Sequence, residues 1–303
     1  MINDLVFSDK QEIKGLLGGV VYALAGIKPY CDDVMMVTVG GPDYLDHYGE
    51  YFKANQLSAA GVYSLLPNTQ YTELVYEKDG RWTESSIYGK EFDLLHALKG
   101  QTTMPMLLPF CDTQTKGIYA EAGALNHIWD ELPLLREQFP HVKFMWEVFT
   151  EDLNYPALHS RLHELTKLVD AFSINLPESL SLFGTQSESE SVQALLKLET
   201  PCFFRVGEKG AYMIQDGKAW FAPAYDLEQS VDPTGCGNCS TAASFYGFAE
   251  GFHPLMTVIK ANLAAALNAR QHGPYPLFTK TLREELERRA QFEFDRLRKD
   301  EYA

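Results

Sequence analysis

Asp232-Pro-Thr-Gly-Cys-Gly-Asn238, followed at once by the small and apolar run CSTAASFYGFAEG (residues 239–251), is the most informative stretch of the sequence. Two glycines one residue apart free the backbone for a tight loop whose amide groups can point the same way. The run that follows predicts a helix, and a helix N-terminus carries partial positive charge. Such a turn is a natural site for an anion such as phosphate, although a plain strand-to-helix turn would have the same composition.

Three segments upstream have glycines or polar residues at predicted element boundaries. Gly18 and Gly19 open a helix of small residues, and Asn175-x-x-Glu178 ends an apolar strand where a helix begins. Gly207-Glu-Lys-Gly210 forms a turn between two further apolar strands.

In this order, the four segments resemble the ribokinase, or PfkB, superfamily of sugar kinases over about residues 1–275. The stretch 232–238 is similar to that family's anion-hole signature, D-T-x-G-A-G-D. Asn3-Asp4 resembles the family's N-terminal dipeptide, whose Asp binds sugar hydroxyls. The resemblance implies ATP as phosphoryl donor, Mg²⁺ as bridging ion, and a sugar or related polyol as acceptor.

The resemblance also implies roles for individual residues. Asp4, Gly18 and Gly19 would hold the acceptor, whereas Asn175 and Glu178 would arrange the metal and its waters.

The nucleotide would lie beside the turn formed by Gly207, Glu208 and Gly210. Thr234 would contact it from the glycine-rich loop, and Asn262 belongs to a late helix that flanks the adenine in the family.

The amides of Gly235, Cys236 and Gly237 would stabilise charge on the transferred phosphate. Asn238 would hold the reacting hydroxyl, and Asp232 is a candidate substitute base or metal partner.

The chain departs from the family pattern at the catalytic position, since Asn238 replaces the Asp that removes the proton from the attacking hydroxyl. An amide cannot act as a general base, a role that contributes about 10²–10⁴-fold to rate. Positioning and charge stabilisation supply much of phosphoryl transfer, so a slow kinase is one expectation. A binding or regulatory protein without transfer is the other. Trp146-Glu147 is a second departure, since many relatives have an Asp-containing strand end there.

Alternating apolar and amphipathic segments predict one three-layer α/β/α domain over residues 1–303, with a mostly parallel central sheet. Predicted strands are Val34–Val39, Met106–Phe110, Val142–Val148, Ala171–Ile174, Cys202–Val206 and Ala211–Ile214, and predicted helices include Pro156–Val169 and Leu282–Leu297. Strands at Thr72–Tyr76 and Arg81–Ser85, joined at Glu77-Lys-Asp-Gly80, predict a β lid around residues 70–88. Because an exposed strand edge can pair between subunits, the lid also suggests a homodimer.

The N-terminus departs from the family as well. Relatives place a full apolar strand before the Asn-Asp pair, but only Met1 and Ile2 precede Asn3. A buried strand needs about five residues. We therefore expect that a longer native product exists.

Composition excludes several classes of protein. The formal charge of −15, with 41 acidic and 26 basic residues, argues against nucleic-acid binding. Five scattered cysteines indicate a reducing cytoplasm, and neither a signal peptide nor a membrane span is readable. Cys236-x-x-Cys239 and the His159/His163 pair have metal-ligand spacing, but each has too few companions for a zinc site.

Overall fold

The chain forms twelve strands and eleven α-helices within residues 1–7, 9, 11–77 and 82–300, the part that this computed structural model describes. The strands are β1 (Ile2–Val6), β2 (Glu12–Leu17), β3 (Thr38–Gly40), β4 (Val62–Ser64), β5 (Tyr71–Tyr76), β6 (Trp82–Ser86), β7 (Gly117–Glu121), β8 (Lys143–Glu147), β9 (Ala171–Asn175), β10 (Cys202–Arg205), β11 (Gly210–Gln215) and β12 (Lys218–Pro223). The helices are α1 (Val21–Ile27), α2 (Tyr44–Ala54), α3 (Lys90–Lys99), α4 (Met104–Leu107), α5 (Ile128–Gln138), α6 (His159–Leu165), α7 (Leu176–Phe183), α8 (Glu188–Leu195), α9 (Cys236–Ala249), α10 (Pro254–Asn268) and α11 (Lys280–Asp300).

A six-stranded sheet in the order β12-β11-β10-β9-β8-β7 forms the middle layer. Strands β7 to β10 run parallel, and β11 and β12 continue the sheet as antiparallel strands. The short strands β3 and β4 pair with each other in parallel. The predicted mostly parallel central sheet is therefore confirmed.

The two faces of this sheet pack against separate sets of helices, because successive strand side chains point to opposite sides. On β9, Phe172 and Ile174 join the core formed with α5 to α8. Ala171 joins the core formed with α1, α9, α10 and α11. The structure is thus the predicted three-layer α/β/α fold.

Helix α9 is apolar nearly all round, as expected of a helix packed between other elements. Its approach to α1 is very close: a Cβ atom at Gly26 would lie 2.0 Å from the carbonyl oxygen of Cys239. The small side chains that follow the glycine-rich loop therefore let α9 pack closely against its neighbours in the core. This packing fixes the position of the N-terminus of α9.

A second sheet, in the order β2-β1-β5-β6, contains the predicted lid strands. It is larger than the predicted hairpin, since the N-terminal strand β1 pairs in parallel with β5 and antiparallel with β2. Asn3 and Asp4 lie within β1. The predicted turn residues Lys78-Asp-Gly80 and the predicted strand start Arg81 lie outside the described part of the chain.

Two strand predictions need correction. Met106–Phe110 is helical, forming the end of α4 and a 3₁₀ turn at Leu108–Phe110. Pro105 and Pro109 lie in the first turns of these segments, where their missing N–H groups cost nothing, whereas each would leave a gap in a strand ladder. Val34–Val39 contributes only its last two residues to β3.

The predicted helices are present with altered ends. Residues 156–158 form a 3₁₀ turn before α6, which ends at Leu165, and α11 extends the predicted Leu282–Leu297 at both ends. Within the described residues, none of the helices combines the length and apolarity that a membrane crossing requires.

Candidate active site

Four neighbouring parallel strands each end in a polar residue at the same edge of the central sheet. These are Glu121 of β7, Glu147 of β8, Asn175 of β9 and Arg205 of β10. The register places Glu121 opposite Glu147, and Asn175 opposite Arg205. Because ligands of open α/β sheets bind beyond the carboxyl ends of the strands, this edge is the candidate active site.

The glycine-rich loop reaches the same edge through the N-terminus of α9. Gly235 caps the helix with a φ of +76°, a conformation that favours glycine. A Cβ atom there would lie 2.1 Å from the Tyr22 ring, and one at Gly237 would lie 2.4 Å from Nη1 of Arg205. The guanidinium therefore packs directly on the first turn of the helix. The N–H of Cys236 donates to the carbonyl of Pro233 at 3.0 Å, so this amide already has a partner.

Asp232 holds the loop in shape. Its Oδ1 accepts hydrogen bonds from the backbone N–H of Thr234 at 2.9 Å and from the Thr234 hydroxyl at 2.6 Å. Its Oδ2 lies 3.2 Å from Nδ1 of His272. The Tyr76 hydroxyl of the lid sheet lies 2.7 Å from Oγ1 of Thr234, and Asn268 donates to the Thr234 carbonyl at 3.1 Å. Asp232 and Thr234 thus couple the loop to the lid and to α10.

Asn238 extends from the first turn of α9 toward two carboxylates. Its Nδ2 donates to Oε2 of Glu121 at 3.1 Å and lies 3.5 Å from Oε2 of Glu147. Ionised carboxylates only accept hydrogen bonds, so the amide nitrogen faces them. The structure therefore places two acidic residues beside the amide of Asn238.

Arg205 lies between the carboxylates of Glu147 and Glu178. Its Nη2 is 2.7 Å from Oε1 of Glu147 and 3.9 Å from Oε2 of Glu178, and the hydroxyl of Tyr119 donates to Glu147. Burial alone would lower the pKa of the guanidinium, but Glu147 and Glu178 reverse the sign and raise it. Arg205 thus stays charged, and its Nε is buried without a partner in the described structure.

Glu121 differs from the other carboxylates because its side chain reaches the solvent-exposed rim of the site. Desolvation of the carboxyl group by the surrounding protein, together with repulsion from Glu147 and Glu151, raises its pKa from 4.5 to about 8. Burial also raises the pKa of Glu178, against the attraction of Arg205.

Asn175 and Glu178 form a capping box at the start of α7. The Glu178 N–H donates to Oδ1 of Asn175 at 2.9 Å, and the Asn175 N–H donates to Oε2 of Glu178 at 2.7 Å. Thr150 donates to the other Glu178 oxygen at 2.6 Å. These oxygens are hard donors that suit Mg²⁺, but their hydrogen bonds leave them fit only for its bound waters. Among the described residues, His, Cys, Asp and Glu form no metal-binding group of three or more.

The residues predicted for the nucleotide lie in two places. Gly207 and Glu208 lie in a 3₁₀ turn between β10 and β11, and Gly210 is the first residue of β11. Gly207 has a φ of +65° and Gly210 one of +130°. Asn262 is buried in α10, and its amide donates to the carbonyls of Ala222 and Pro223 at 2.8 and 3.0 Å. It therefore ties α10 to β12 and has no free amide hydrogen to offer an adenine.

The residues predicted for the acceptor lie in or beside the lid sheet. Asp4 accepts from the N–H of Gly15 at 2.8 Å and from the Tyr71 hydroxyl at 2.7 Å. Gly18 packs on the side chain of Asn3, where a Cβ atom would lie 2.2 Å from Nδ2, and Gly19 has a φ of +65°. These contacts shape the lid, and acceptor binding by them stays a prediction.

The two alternative metal pairs have other partners. The thiols of Cys236 and Cys239 donate to the carbonyls of Ala265 and Ala264, both at 3.4 Å, and so join α9 to α10. His159 lies 3.2 Å from the carbonyl of Leu153, and His163 packs on Phe183.

Sequence reasoning missed Glu121, Tyr119 and the role of Arg205. Strand β7 was not predicted, and no function was predicted for Arg205. A usable signal existed, since GIYAE, KFMWE and CFFR are short apolar runs that each end in a charged residue. Such residues meet at one edge when their strands are parallel.

Comparisons with known proteins agree with this geometry. A sequence profile described as "pfkB family carbohydrate kinase" matches residues 147–281, which include the glycine-rich loop. The sequence matches none of the curated proteins with which it was compared.

Solved kinases share the fold at low identity. An E. coli protein assigned as ribokinase II is 17% identical, with a TM-score of 0.71 over 95% of this chain and 96% of its own. Adenosine kinase from Sinorhizobium meliloti is 19% identical, with a TM-score of 0.70 and coverages of 95% and 90%. The Burkholderia thailandensis nucleoside kinase, solved with inosine, is 17% identical, with a TM-score of 0.70 and coverages of 97% and 94%. Residues 147–281 thus match the pfkB family of carbohydrate kinases. Nearly the whole length of the chain has the ribokinase fold.

Proposed function

We propose that the protein transfers the γ-phosphoryl group of ATP to a hydroxyl of a sugar or related polyol. One observation carries the proposal: the N-terminus of α9 and the Arg205 guanidinium converge at the carboxyl ends of the parallel strands. Both attract anions, because a helix N-terminus carries partial positive charge and an arginine presents a fixed set of donors. Nucleoside acceptors belong in the same test, since the Burkholderia relative was solved with inosine.

ATP and Mg²⁺ are the proposed donor and ion. The E. coli protein assigned as ribokinase II has been solved with both. In this chain Asn175 and Glu178 would hold the waters of the ion, which would neutralise phosphate charge when bound. This help matters because Glu121, Glu147 and Glu178 outnumber Arg205 at the site. The predicted single domain and the homodimer through the lid sheet remain proposals.

Asn238 makes transfer slow unless another group accepts the proton of the reacting hydroxyl. The second candidate function, a non-catalytic nucleotide or sugar binder, is favoured by a different observation. Arg205 is already paired with Glu147 and packed on Gly237, so an incoming phosphate must share it.

The test is ATP consumption with Mg²⁺ across a panel of sugars, polyols and nucleosides, including D-ribose, D-fructose and inosine. Acceptor-dependent ADP formation, with the phosphorylated acceptor identified by mass, would support the kinase. If no acceptor is phosphorylated although MgATP raises the melting temperature, the binder is the correct function.

A further inference from the structure

Three carboxylates lie around Asn238 and Arg205, and two of them are fully engaged. Glu147 is 5% exposed, pairs with Arg205, and accepts from Tyr119. Glu178 is 3% exposed and accepts from Thr150 and from the N–H of Asn175. The oxygens of both carboxylates are therefore occupied by these partners, so neither group is free to accept a proton from a substrate.

Glu121 is the open member of the group. Its side chain is exposed at the rim, and the Asn238 amide donates to one of its oxygens, Oε2, at 3.1 Å. It lies at the end of β7, on a rigid strand in register with Glu147. The Asn238 contact thus orients the carboxylate at the position where the family pattern has its catalytic acid.

We propose that Glu121 is the proton acceptor of the reaction, oriented by the amide of Asn238. The inference rests on the proposed kinase function and adds a catalytic residue to it. In this step the acceptor hydroxyl gives its proton to the Glu121 carboxylate while its oxygen bonds to the γ-phosphorus of ATP. The bond between that phosphorus and the β,γ-bridging oxygen breaks, and ADP leaves with the electron pair.

The pairing of amide and acid explains why position 238 is not Asp. An aspartate there would bring a third carboxylate within about 3–4 Å of Glu121 and Glu147, and like charges at that distance resist ionisation together. Asparagine instead donates to both. In this chain, an acid at position 121 would therefore take over the role that the family pattern gives to an acid at position 238.

The surrounding charges suit this role. Glu121 faces Glu147 and Tyr119 from the sheet, Glu151 after β8, Glu178 from α7, and Arg205 from β10. Desolvation by the surrounding protein, followed by repulsion from the carboxylates against the attraction of Arg205, raises the pKa of Glu121. The resulting rise in pKa brings Glu121 near neutral pH, where a general base transfers protons most effectively.

Mutation can move the acid from position 121 to position 238. We expect Glu121→Gln to lower kcat for the best acceptor of the panel about 10²–10⁴-fold, with a small change in KM. The double variant Glu121→Gln/Asn238→Asp restores one acid and one amide in swapped positions, and should recover at least about tenfold over Glu121→Gln. The acidic limb of its pH–rate profile should move to lower pH than in wild type. The new carboxylate at position 238 would lie in the first turn of α9, where the positive end of the helix favours its ionised form. Glu137→Gln, the same change on the exposed face of α5, serves as the control at wild-type activity.

The outcomes separate the two proposals. If wild type turns over and Glu121→Gln stays within about threefold of it, the inference is overturned while the kinase function stands. If wild type phosphorylates no acceptor of the panel, the kinase function falls and the inference with it.

A second readout needs no acceptor. A carboxyl group whose pKa is raised by folding binds its proton more tightly in the folded state, so wild type loses stability as pH rises from 4.5 to about 8. Glutamine does not titrate. The melting temperature of Glu121→Gln should therefore exceed that of wild type by about 2 °C more at pH 8.5 than at pH 4.5. An equal difference at both pH values would show that Glu121 is not held against these carboxylates, and would overturn the proposal.

Discussion

Gly235 is constrained twice, by its backbone and by its neighbour. Its φ of +76° lies in the left-handed region, which costs about 1–2 kcal/mol for a residue with a Cβ atom. Its hydrogen points at the Tyr22 ring, where a Cβ atom would lie 2.1 Å from the nearest ring carbon. The sequence alone predicted the first constraint from the loop pattern, but the second depends on α1 lying against α9.

Replacing Gly235 by Ala should therefore reduce the free energy of unfolding by more than the left-handed backbone conformation alone would cost. We expect a loss of about 2–5 kcal/mol in the free energy of unfolding, the sum of the left-handed conformation and of overpacking against Tyr22. Urea denaturation of wild type and variant measures this loss.

The matched control is Gly217→Ala. Gly217 has a φ of +71°, but a Cβ atom added there would have no atom of the described structure within 4 Å, so only about 1–2 kcal/mol should be lost. Equal losses of unfolding free energy in the two variants would show that the Tyr22 ring moves aside and does not constrain the loop.

At the scale of elements, the strands that could be predicted are those with uninterrupted apolar runs. Phe144, Phe172 and Phe203 are wholly buried, and their strands were recognised because both faces are covered. Strand β7 was missed, since GIYAE is short, begins with glycine and ends in a charge. That Asn238 is the decisive departure from the family pattern therefore stays a prediction, and Glu121 could not be recognised without β7.

A capping sequence indicates where a helix starts, but not which residues the cap will meet. Asn175-x-x-Glu178 and Ser187-x-x-Glu190 are both capping sequences, and in each the side chain of the first residue accepts from the N–H three residues later. Only the first belongs to the candidate site, because only β9 ends beside Arg205. Sequence spacing predicts a cap, whereas the sheet register decides which cap meets a ligand.

This difference gives a prediction for the two caps. Asn175→Ala and Ser187→Ala should each lose about 1 kcal/mol in the free energy of unfolding, because each removes one capping hydrogen bond. Asn175→Ala should also weaken MgATP binding about tenfold, since it loosens Glu178, whereas Ser187→Ala should bind normally. Calorimetric titration with MgATP checks this. Equal affinities would remove the capping box of α7 from the proposed binding machinery.

The whole molecule carries a charge of −15, and its candidate site adds acidic residues at the very edge where ATP would bind. A phosphate ligand approaching this surface meets long-range repulsion and short-range attraction, the latter from Arg205 and the N-terminus of α9. The repulsion and the attraction act over different distances, so their contributions can be distinguished by changing the salt concentration. The Debye length falls from about 30 Å at 10 mM to about 8 Å at 150 mM ionic strength.

Association of MgATP should therefore become faster as salt is added. We expect its rate constant to rise about two- to fivefold between 10 and 150 mM sodium chloride, because screening removes the repulsion and leaves the close contacts largely intact. Stopped-flow fluorescence with a labelled ATP and Mg²⁺ measures this rate constant. The matched control is an uncharged acceptor that the panel identifies, since its association should not change with salt. Slower association of MgATP at high salt would mean that the field of Arg205 and α9 extends past the acidic surface and steers the nucleotide in.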